Sequence, residues 1–257
     1  MRNIFIIARR DLRAQFNSPV AYVVLGGSML LLGVVFFLIP HISGVLAGSF
    51  WDVDRASMDQ MFATLPILMS IFVVPAVTMR SLAAEKGSGT LELLITMPVR
   101  DTDVILGKYF AALTMVLLLL LATLLYPLAM FVWPWHLGAL DWGPVWSGYL
   151  GCFFFGAAAV GVGMMLSSLT ESDVIAFFMT LGVLAVVWAI GWIVSLAHSE
   201  NGTANTLADA LGFISFQTRY ASFPRGLIDT RAIVYFLSVT VICLLVSFRS
   251  LESRKWS

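Results

Sequence analysis

The chain has 257 residues, of which 60% are hydrophobic and 12% charged. Ordinary soluble domains carry roughly 25% charged residues, so this composition argues against a water-soluble fold. With 15 basic and 15 acidic residues the formal net charge is zero, which gives no electrostatic reason to expect a nucleic acid as a partner. Cys152 and Cys243 lie in apolar blocks without the spacing of a metal site or a disulfide framework, and we interpret them as packing residues.

Six apolar blocks are each long enough to cross a hydrocarbon layer of about 30 Å as a helix. They cover residues 20–40, 61–79, 109–133, 148–169, 174–197 and 232–248. Because backbone groups in lipid need internal hydrogen-bond partners, all six are predicted to be helices. The first block ends without a small-residue cleavage pattern, so it is predicted to be a retained span. Residues 1–257 are therefore predicted to form one all-α integral membrane domain.

The distribution of Lys and Arg predicts the orientation, because cytoplasmic segments carry the excess of these residues. Residues 1–19, 80–108 and 249–257 together hold eleven Lys and Arg residues, and the connections on the other side hold four. Both termini are therefore predicted to be cytoplasmic.

The stretch before the first span, residues 1–18, is predicted to be an amphipathic helix at the membrane interface. Its apolar residues Phe5, Ala8, Leu12 and Phe16 fall near one helical face. The alternative is a basic flank that only sets the orientation of the first span.

The connection between the fifth and sixth blocks, residues 198–231, is too long for a tight turn and too apolar for a free loop. We predict short helices that re-enter the membrane from outside, buried in protein or lining a cavity. A gate at the outer end of a pathway is one interpretation, and an extracellular cap packed on the bundle is the other. The candidate gate residues are Phe213, Phe216, Phe223, Arg225, Gly226 and Asp229.

The segment between the second and third blocks, residues 80–108, carries the main functional signal. Gly87 and Gly89 are expected to break the second span, because glycine lowers helix stability. Residues 90–97 are predicted to form a short helix that Pro98 ends. The third span would then begin near Asp101 or Thr102, either of which can cap a helix.

The predicted helix over residues 90–97 is amphipathic. Thr90 is its candidate N-cap, and Leu91 and Leu94 lie on one side. Leucines exposed at the cytoplasmic surface are typical of a docking site for another protein. The alternative is a helix that lies flat on the lipid surface, since an amphipathic helix is also stable there.

Two runs of residues carry a family resemblance that extends over essentially the whole chain. The first run resembles the coupling-helix region of ABC-2 type permeases and reads Glu85-Lys-Gly-x-Gly-Thr90-Leu-Glu92-Leu-Leu, then Pro98, then Gly107-Lys108. The second run is similar to the GldF-like gliding-motility branch and reads Phe223-Pro-Arg-Gly226-Leu-Ile-Asp229-x-Arg231, then Tyr235-Phe236, then Leu251-Glu252-x-Arg254-Lys-Trp256.

The resemblance implies a type V exporter-like permease of the bacterial inner membrane that forms a homodimer over two copies of a cytoplasmic ABC ATPase. The residues implied to couple to the ATPase are Glu85, Gly87, Gly89, Thr90, Leu91, Glu92, Leu93, Leu94 and Pro98. Glu171 and Asp173, in the short loop before the fifth span, are implied as a second contact, and the alternative for this loop is an ordinary helix cap. The branch further implies an auxiliary membrane subunit with a large extracytoplasmic part.

A nucleotide-binding loop is not encoded in this sequence. Gly107-Lys108 precedes apolar residues, but Thr102 stands where a phosphate-binding loop has glycine and Tyr109 stands where it has Ser or Thr. We therefore expect that this chain binds no cofactor, and that ATP and Mg²⁺ bind to the partner ATPase. The central parts of the blocks lack charged residues, which disfavours a transporter coupled to protons or sodium.

Two alternatives from other functional classes remain open. The first is an intramembrane enzyme that uses His41, His136 and His198, although no HExxH or Cys-rich spacing accompanies them and no metal site is predicted. The second is a membrane scaffold that uses ATP to move a partner instead of a cargo. The identity of the cargo does not follow from the sequence.

Overall fold

The computed structural model describes residues 2–38, 58–87, 101–131, 140–201 and 206–253, and regular structure in these ranges is entirely helical. Six segments are long and apolar enough to cross a membrane, which confirms the six-span prediction. We number them spans one to six: Pro19–Phe36, Asp59–Gly87, Asp101–Ala129, Trp142–Leu169, Asp173–Leu196 and Thr230–Glu252. They exceed the predicted apolar blocks at several ends because the helices continue beyond their most apolar residues.

The helices that build these spans are numbered in chain order. They are α1 (Arg2–Asn17), α2 (Pro19–Gly33) with a π-helical turn (Val34–Leu38), α3 (Asp59–Leu68) with a π-helical turn (Met69–Val73), α4 (Val74–Thr78), α5 (Ala83–Gly87), α6 (Asp101–Thr123), α7 (Leu125–Phe131), α8 (Trp142–Leu169), α9 (Asp173–Asn201), α10 (Thr206–Ile214), α11 (Phe216–Tyr220), a 3-10 turn (Phe223–Arg225) and α12 (Thr230–Ser253).

Both ends of the described chain lie at the same end of the bundle. Helix α1 packs against the beginning of span three, and the Ser250 hydroxyl near the end of span six donates to the Ser168 carbonyl at the end of span four, at 3.0 Å. We call this end, which holds α1, Gly87 and Asp101, the terminal end. The opposite end, which holds α10, α11 and the 3-10 turn, is the far end.

Span four is the centre of the bundle. In its most apolar window 78% of residues are buried, compared with 28% in spans one, five and six. The run of small residues from Gly156 to Gly163 allows this packing, because a Cβ on Gly163 would lie 2.3 Å from the Oγ1 of Thr78 in span two. The side chains of Met69 and Val116 approach Gly156 in the same way. These small residues therefore serve close helix packing.

Helix α1 forms as predicted, but the face that packs differs in part from the predicted stripe. Ile4 and Ile7 lie against Gly107 of span three, where an added Cβ would be 2.8 Å from the Ile7 Cβ. Phe5 is 70% exposed, because a face centred on Ile4, Ile7 and Asp11 turns it away from the bundle. Phe5 therefore lies outside the face that packs on the bundle, and the interfacial position of α1 stays a prediction.

Candidate functional site

A buried ion-pair cluster joins three elements at the terminal end. The Lys108 ammonium of span three lies 2.8 Å from an Oε1 of Glu85 in α5 and 3.0 Å from an Oδ2 of Asp11 in α1, and the Lys108 side chain is only 3% exposed. Arg10 approaches the same Glu85 oxygen at 3.6 Å. Two acids and two bases therefore neutralise one another where spans two and three meet α1.

The local sequence explains how this cluster forms. Gly107 lacks a side chain where α1 crosses span three, so Ile4 and Ile7 can approach the backbone of span three closely. The next residue, Lys108, then points at Asp11, one helical turn beyond Ile7 on the same face of α1. The Gly107-Lys108 pair thus has a structural role in seating α1.

The C-terminal end of span four binds the backbone of span two at the turn that interrupts the helix of span two. Residues 79–82 form a turn between α4 and α5, and the Ser167 hydroxyl oxygen accepts from the backbone N–H groups of Leu82 and Ala83 at 3.2 and 3.1 Å. The Lys86 ammonium donates to the Ser168 carbonyl, placing a positive charge at the C-terminal end of the span-four helix. Helix α5 is therefore fastened to span four.

The loop between spans four and five completes this junction. Gly87 lies so close to the loop that an added Cβ would be 2.6 Å from the Glu171 carbonyl oxygen. Arg80 and Asp173 form an ion pair at 3.5 Å. The structure thus brings together Glu85, Gly87, Glu171 and Asp173, four of the residues implied to couple to the ATPase. We call this set of contacts, together with Lys86, Lys108, Ser167 and Asp11, the terminal junction.

The other coupling candidates lie outside the described residues. These are Gly89, Thr90, Leu91, Glu92, Leu93, Leu94 and Pro98, and their docking role stays a prediction. The described flanks of that segment, Gly87 and Asp101, both end at the terminal junction.

Sequence reasoning missed Asp11, Lys86, Lys108 and Ser167 as parts of this site. A signal was present for Lys108, because a Lys in a helix that continues directly into an apolar block needs an acidic partner when it is buried. Asp11 is the only acid within residues 1–18 and was the available candidate on α1. The role of Ser167 depends on a break in another helix, which no local pattern shows.

At the far end, α11 supplies a hydrogen bond in place of one that a proline removes from span two. Pro66 has no N–H to donate to the Phe62 carbonyl four residues earlier, and the Tyr220 hydroxyl donates to that carbonyl instead, at 3.0 Å. Burial raises the pKa of the Tyr220 phenol well above its ordinary value, so the hydroxyl keeps the proton that it donates. Cys152 of span four also contacts this hydroxyl, at 3.1 Å.

The predicted outer helices are present and reach deep into the bundle. The ring of Phe216 in α11 lies 5.7 Å from the ring of Phe155, near the middle of span four. Phe223 is fully buried against Gly151, where an added Cβ would be 2.5 Å from the Phe223 ring, and the Ser147 hydroxyl donates to the Phe223 carbonyl at 2.7 Å. The prediction of re-entrant helices in residues 198–231 is confirmed for the part that the structure describes.

The six candidate gate residues occupy two different environments. Phe216 and Phe223 are core residues, whereas Phe213 and Arg225 are exposed. The two remaining residues shape the backbone. Gly226 has a φ of 84°, which favours glycine, and Asp229 caps span six by accepting from the Arg231 N–H at 2.9 Å. The gate interpretation stays a prediction.

A cation–π contact that sequence reasoning missed fixes α10 to span six. The Arg219 guanidinium lies 4.4 Å from the centre of the Phe213 ring and 5.7 Å from the centre of the Tyr235 ring. Such stacking lets a cation remain at the membrane boundary with its apolar neighbours covered.

The histidines and cysteines give no support to an enzyme site in the described part of the chain. His41 and His136 lie outside it, and His198 falls in α9. No group of three or more potential metal ligands occurs among the residues that were described, and both cysteines there are buried free thiols.

Comparison with known proteins places the chain in a family. The family model described as "ABC-2 family transporter protein" matches residues 27–256, which include the second half of span one, spans two to six, and the terminal junction apart from α1. No curated protein matches the sequence. Members of this family are the membrane permeases of ABC transporters and work with an ABC ATPase. The chain therefore belongs to the ABC-2 transporter family and is a multi-pass membrane permease of the ABC class.

Proposed function

We propose that this chain is the membrane-spanning subunit of an ABC exporter, driven by a separate cytoplasmic ATPase through residues 80–108 and the loop before span five. The observation that carries the proposal is the terminal junction, in which buried Lys108 joins α1, span two and span three. The family membership adds the expectation of an ABC ATPase as partner.

The junction supports a mechanical route for the energy of ATP hydrolysis. When the ATPase closes, it displaces the docking helix predicted at residues 90–97. That helix is followed by span three and preceded by α5, which is held to Lys108 and to the end of span four. Helix α5, span three and α1 therefore move together, and the rest of span two follows through a hinge at the turn of residues 79–82, which Ser167 holds.

The chemistry of hydrolysis belongs to the partner in this proposal. ATP and Mg²⁺ bind the ATPase, and the present chain supplies only the docking helix and the moving spans. The excess of Lys and Arg at the terminal end supports a cytoplasmic position for that end and for both termini, and we propose the inner membrane of a bacterial cell as the location.

We further propose a homodimer over two ATPase copies, with the auxiliary extracytoplasmic subunit of the GldF-like branch. Spans one and five support a second copy as neighbour, since only 28% of the residues in their apolar windows are buried within one chain. At the far end, the buried Phe216 and Phe223 act as the fixed base of an outer gate, and the exposed Phe213 and Arg225 line its rim.

The test is purification of the tagged chain from its native membrane, with mass spectrometry of the partners and an ATPase assay. A Leu91→Asp, Glu92→Arg double variant puts a charge at an apolar position of the docking helix and reverses the charge beside it. The control is a Leu227→Asp, Ile228→Arg double variant, which introduces the same two side chains at exposed far-end positions. We expect a phosphate-binding-loop ATPase with wild type and with the far-end variant, and its loss with the docking variant. A stable complex that contains no ATPase would contradict the proposal.

A further inference from the structure

A cavity of about 270 Å³ lies at the terminal end between α1 and spans one, two and three. This volume is close to the lower limit of about 300 Å³ that is typical of small-molecule sites. The cavity is only partly enclosed by the chain. Its lining residues are Asp11, Ala14, Gln15, Ser18, Val20, Ala21, Val24, Ala76, Val77, Arg80, Ser81, Glu85, Lys108 and Met115.

The lining is divided into a polar half and an apolar half. The apolar half comes from the membrane-embedded parts of spans one to three and includes Val24, Val77 and Met115. The polar half comes from α1 and the last residues of span two, where a membrane gives way to water. A ligand that fills the whole cavity must therefore carry hydrocarbon at one end and a polar group at the other.

The charges on the polar half select against a simple anion. Asp11 and Glu85 are carboxylates on the wall, and the neighbouring Lys108 ammonium is already bound by both of them. With Lys108 and Arg80 the same lining also holds two cations, so the wall carries no net charge and suits a zwitterionic headgroup better than a lone anion. Arg80 is 58% exposed and pairs with Asp173 at 3.5 Å, and an anionic group at the rim would share its guanidinium with that carboxylate.

Two polar atoms on the same wall call for hydrogen-bond partners. The Oε1 of Gln15 and the Oγ of Ser81 are buried and have no partner among the described residues. An amide oxygen can only accept, and a hydroxyl oxygen can accept as well as donate. Buried polar atoms of this kind are satisfied in most proteins, so they indicate a ligand that donates hydrogen bonds.

We propose that this cavity binds a phospholipid with a primary ammonium headgroup, taken from the leaflet at the terminal end. The ammonium donates to Gln15 Oε1 and Ser81 Oγ beside the Asp11 and Glu85 carboxylates. The phosphate lies at the rim against Arg80, and the upper part of an acyl chain lies along Val24, Val77 and Met115. A quaternary ammonium headgroup has no N–H to donate, and a glycerol headgroup has no positive charge, so both bind more weakly. The site shares Asp11, Glu85, Lys108 and Arg80 with the terminal junction, but the lipid-binding measurements below do not depend on the proposed transport function.

The test is thermal unfolding of the purified full chain in detergent with added phosphatidylethanolamine, phosphatidylcholine or phosphatidylglycerol. A ligand that binds only the folded state raises the Tm. We expect phosphatidylethanolamine to raise the Tm by several degrees more than the other two lipids. An Ala76→Leu variant fills the cavity and abolishes this preference, whereas Ala189→Leu makes the same change at an exposed position of span five and retains it.

Native mass spectrometry of the wild-type chain gives a second measurement that needs no variant. We expect one phosphatidylethanolamine per chain to survive at collision energies that strip phosphatidylcholine. Equal retention of the two lipids, a preference for phosphatidylglycerol, or an unchanged preference in Ala76→Leu overturns the proposal.

Discussion

Span two lacks regular helical hydrogen bonds at two places, and a neighbouring element supplies the missing partner differently at each of them. At the far end Pro66 leaves the Phe62 carbonyl without its helical donor, and the Tyr220 hydroxyl takes that place. At the terminal end the turn at residues 79–82 exposes two N–H groups, and the Ser167 hydroxyl accepts both. Each break is possible inside a membrane only because a neighbouring element supplies the missing partner.

The surroundings of the two repairs differ in how easily they can be rearranged. The far-end repair lies among interlocked rings, with Phe155 5.7 Å from Phe216 and 6.2 Å from Phe236. The terminal repair lies beside ion pairs and a short loop. Ring packing resists small displacements, whereas ion pairs keep much of their attraction when the groups move slightly. The comparison indicates that the terminal end is the easier of the two to rearrange, and that the far end holds a fixed core beneath its exposed rim.

The largest expected effect comes from removing the cation of the terminal junction. Lys108→Met leaves the Asp11 and Glu85 carboxylates facing each other in a partly buried site, so we expect a loss of about 4 kcal/mol in the free energy of unfolding, measured by denaturation in detergent. Arg249→Met is the control, because Arg249 is 79% exposed and pairs with the neighbouring Glu252 on the surface. Equal effects of the two substitutions would show that Lys108 does not hold the junction together.

The next effect concerns the hinge. Ser167→Ala leaves the N–H groups of Leu82 and Ala83 without their acceptor, and we expect a loss of about 2 kcal/mol by the same measurement. Ser238→Ala is a matched control, because the Ser238 hydroxyl bonds only to carbonyls of its own helix on an exposed face. A neutral Ser167→Ala would mean that water or another group satisfies the turn.

The far-end repair is expected to have a smaller effect. Tyr220→Phe keeps the ring packing and removes only the donor to the Phe62 carbonyl, so we expect a loss of about 1 kcal/mol, the usual size of a side-chain hydrogen bond within a membrane protein. Tyr22→Phe, at a 63% exposed position, serves as the control. A loss larger than that of Ser167→Ala would reverse the order that the comparison predicts.

The smallest effect is expected for the outermost ion pair. Arg80 and Asp173 are 58% and 32% exposed, so their double-mutant coupling energy is expected to be about 0.5 kcal/mol. Arg80→Gln, Asp173→Asn and the double variant measure it. Their coupling is expected to fall further with added salt, unlike the effect of Lys108→Met. A coupling energy as large as the Lys108 effect would mean that the loop before span five contributes as much as Lys108 to the stability of the junction.

The sequence predicted the spans well because the length of an apolar block is a strong constraint in a membrane. It also predicted the re-entrant helices, since a long apolar connection such as residues 198–231 must be buried somewhere. It could not predict the terminal junction in full. The contacts of Lys108 with Asp11, and of Ser167 with Leu82, join residues that are far apart in the chain and depend on how the helices pack.

The face of α1 that packs on the bundle could not be predicted for a related reason. Periodicity identifies an apolar stripe on α1, but which residues turn inward depends on the neighbouring surface. Here Gly107 has no side chain, and the space that this leaves lets the part of α1 that carries Ile4 and Ile7 approach span three. A glycine in another helix decided the orientation, and a pattern within α1 does not contain that information.

The most direct test of the central claim is whether ATP changes the far end only when the terminal junction is intact. A cysteine at the exposed position Leu227 reports on the far end through its labelling rate with a membrane-impermeant maleimide, in the purified complex with and without ATP and vanadate. We predict a several-fold change in rate for Leu227→Cys alone and none when Lys108→Met is added, although the ATPase remains bound. An unchanged response in the Lys108→Met complex would contradict the account.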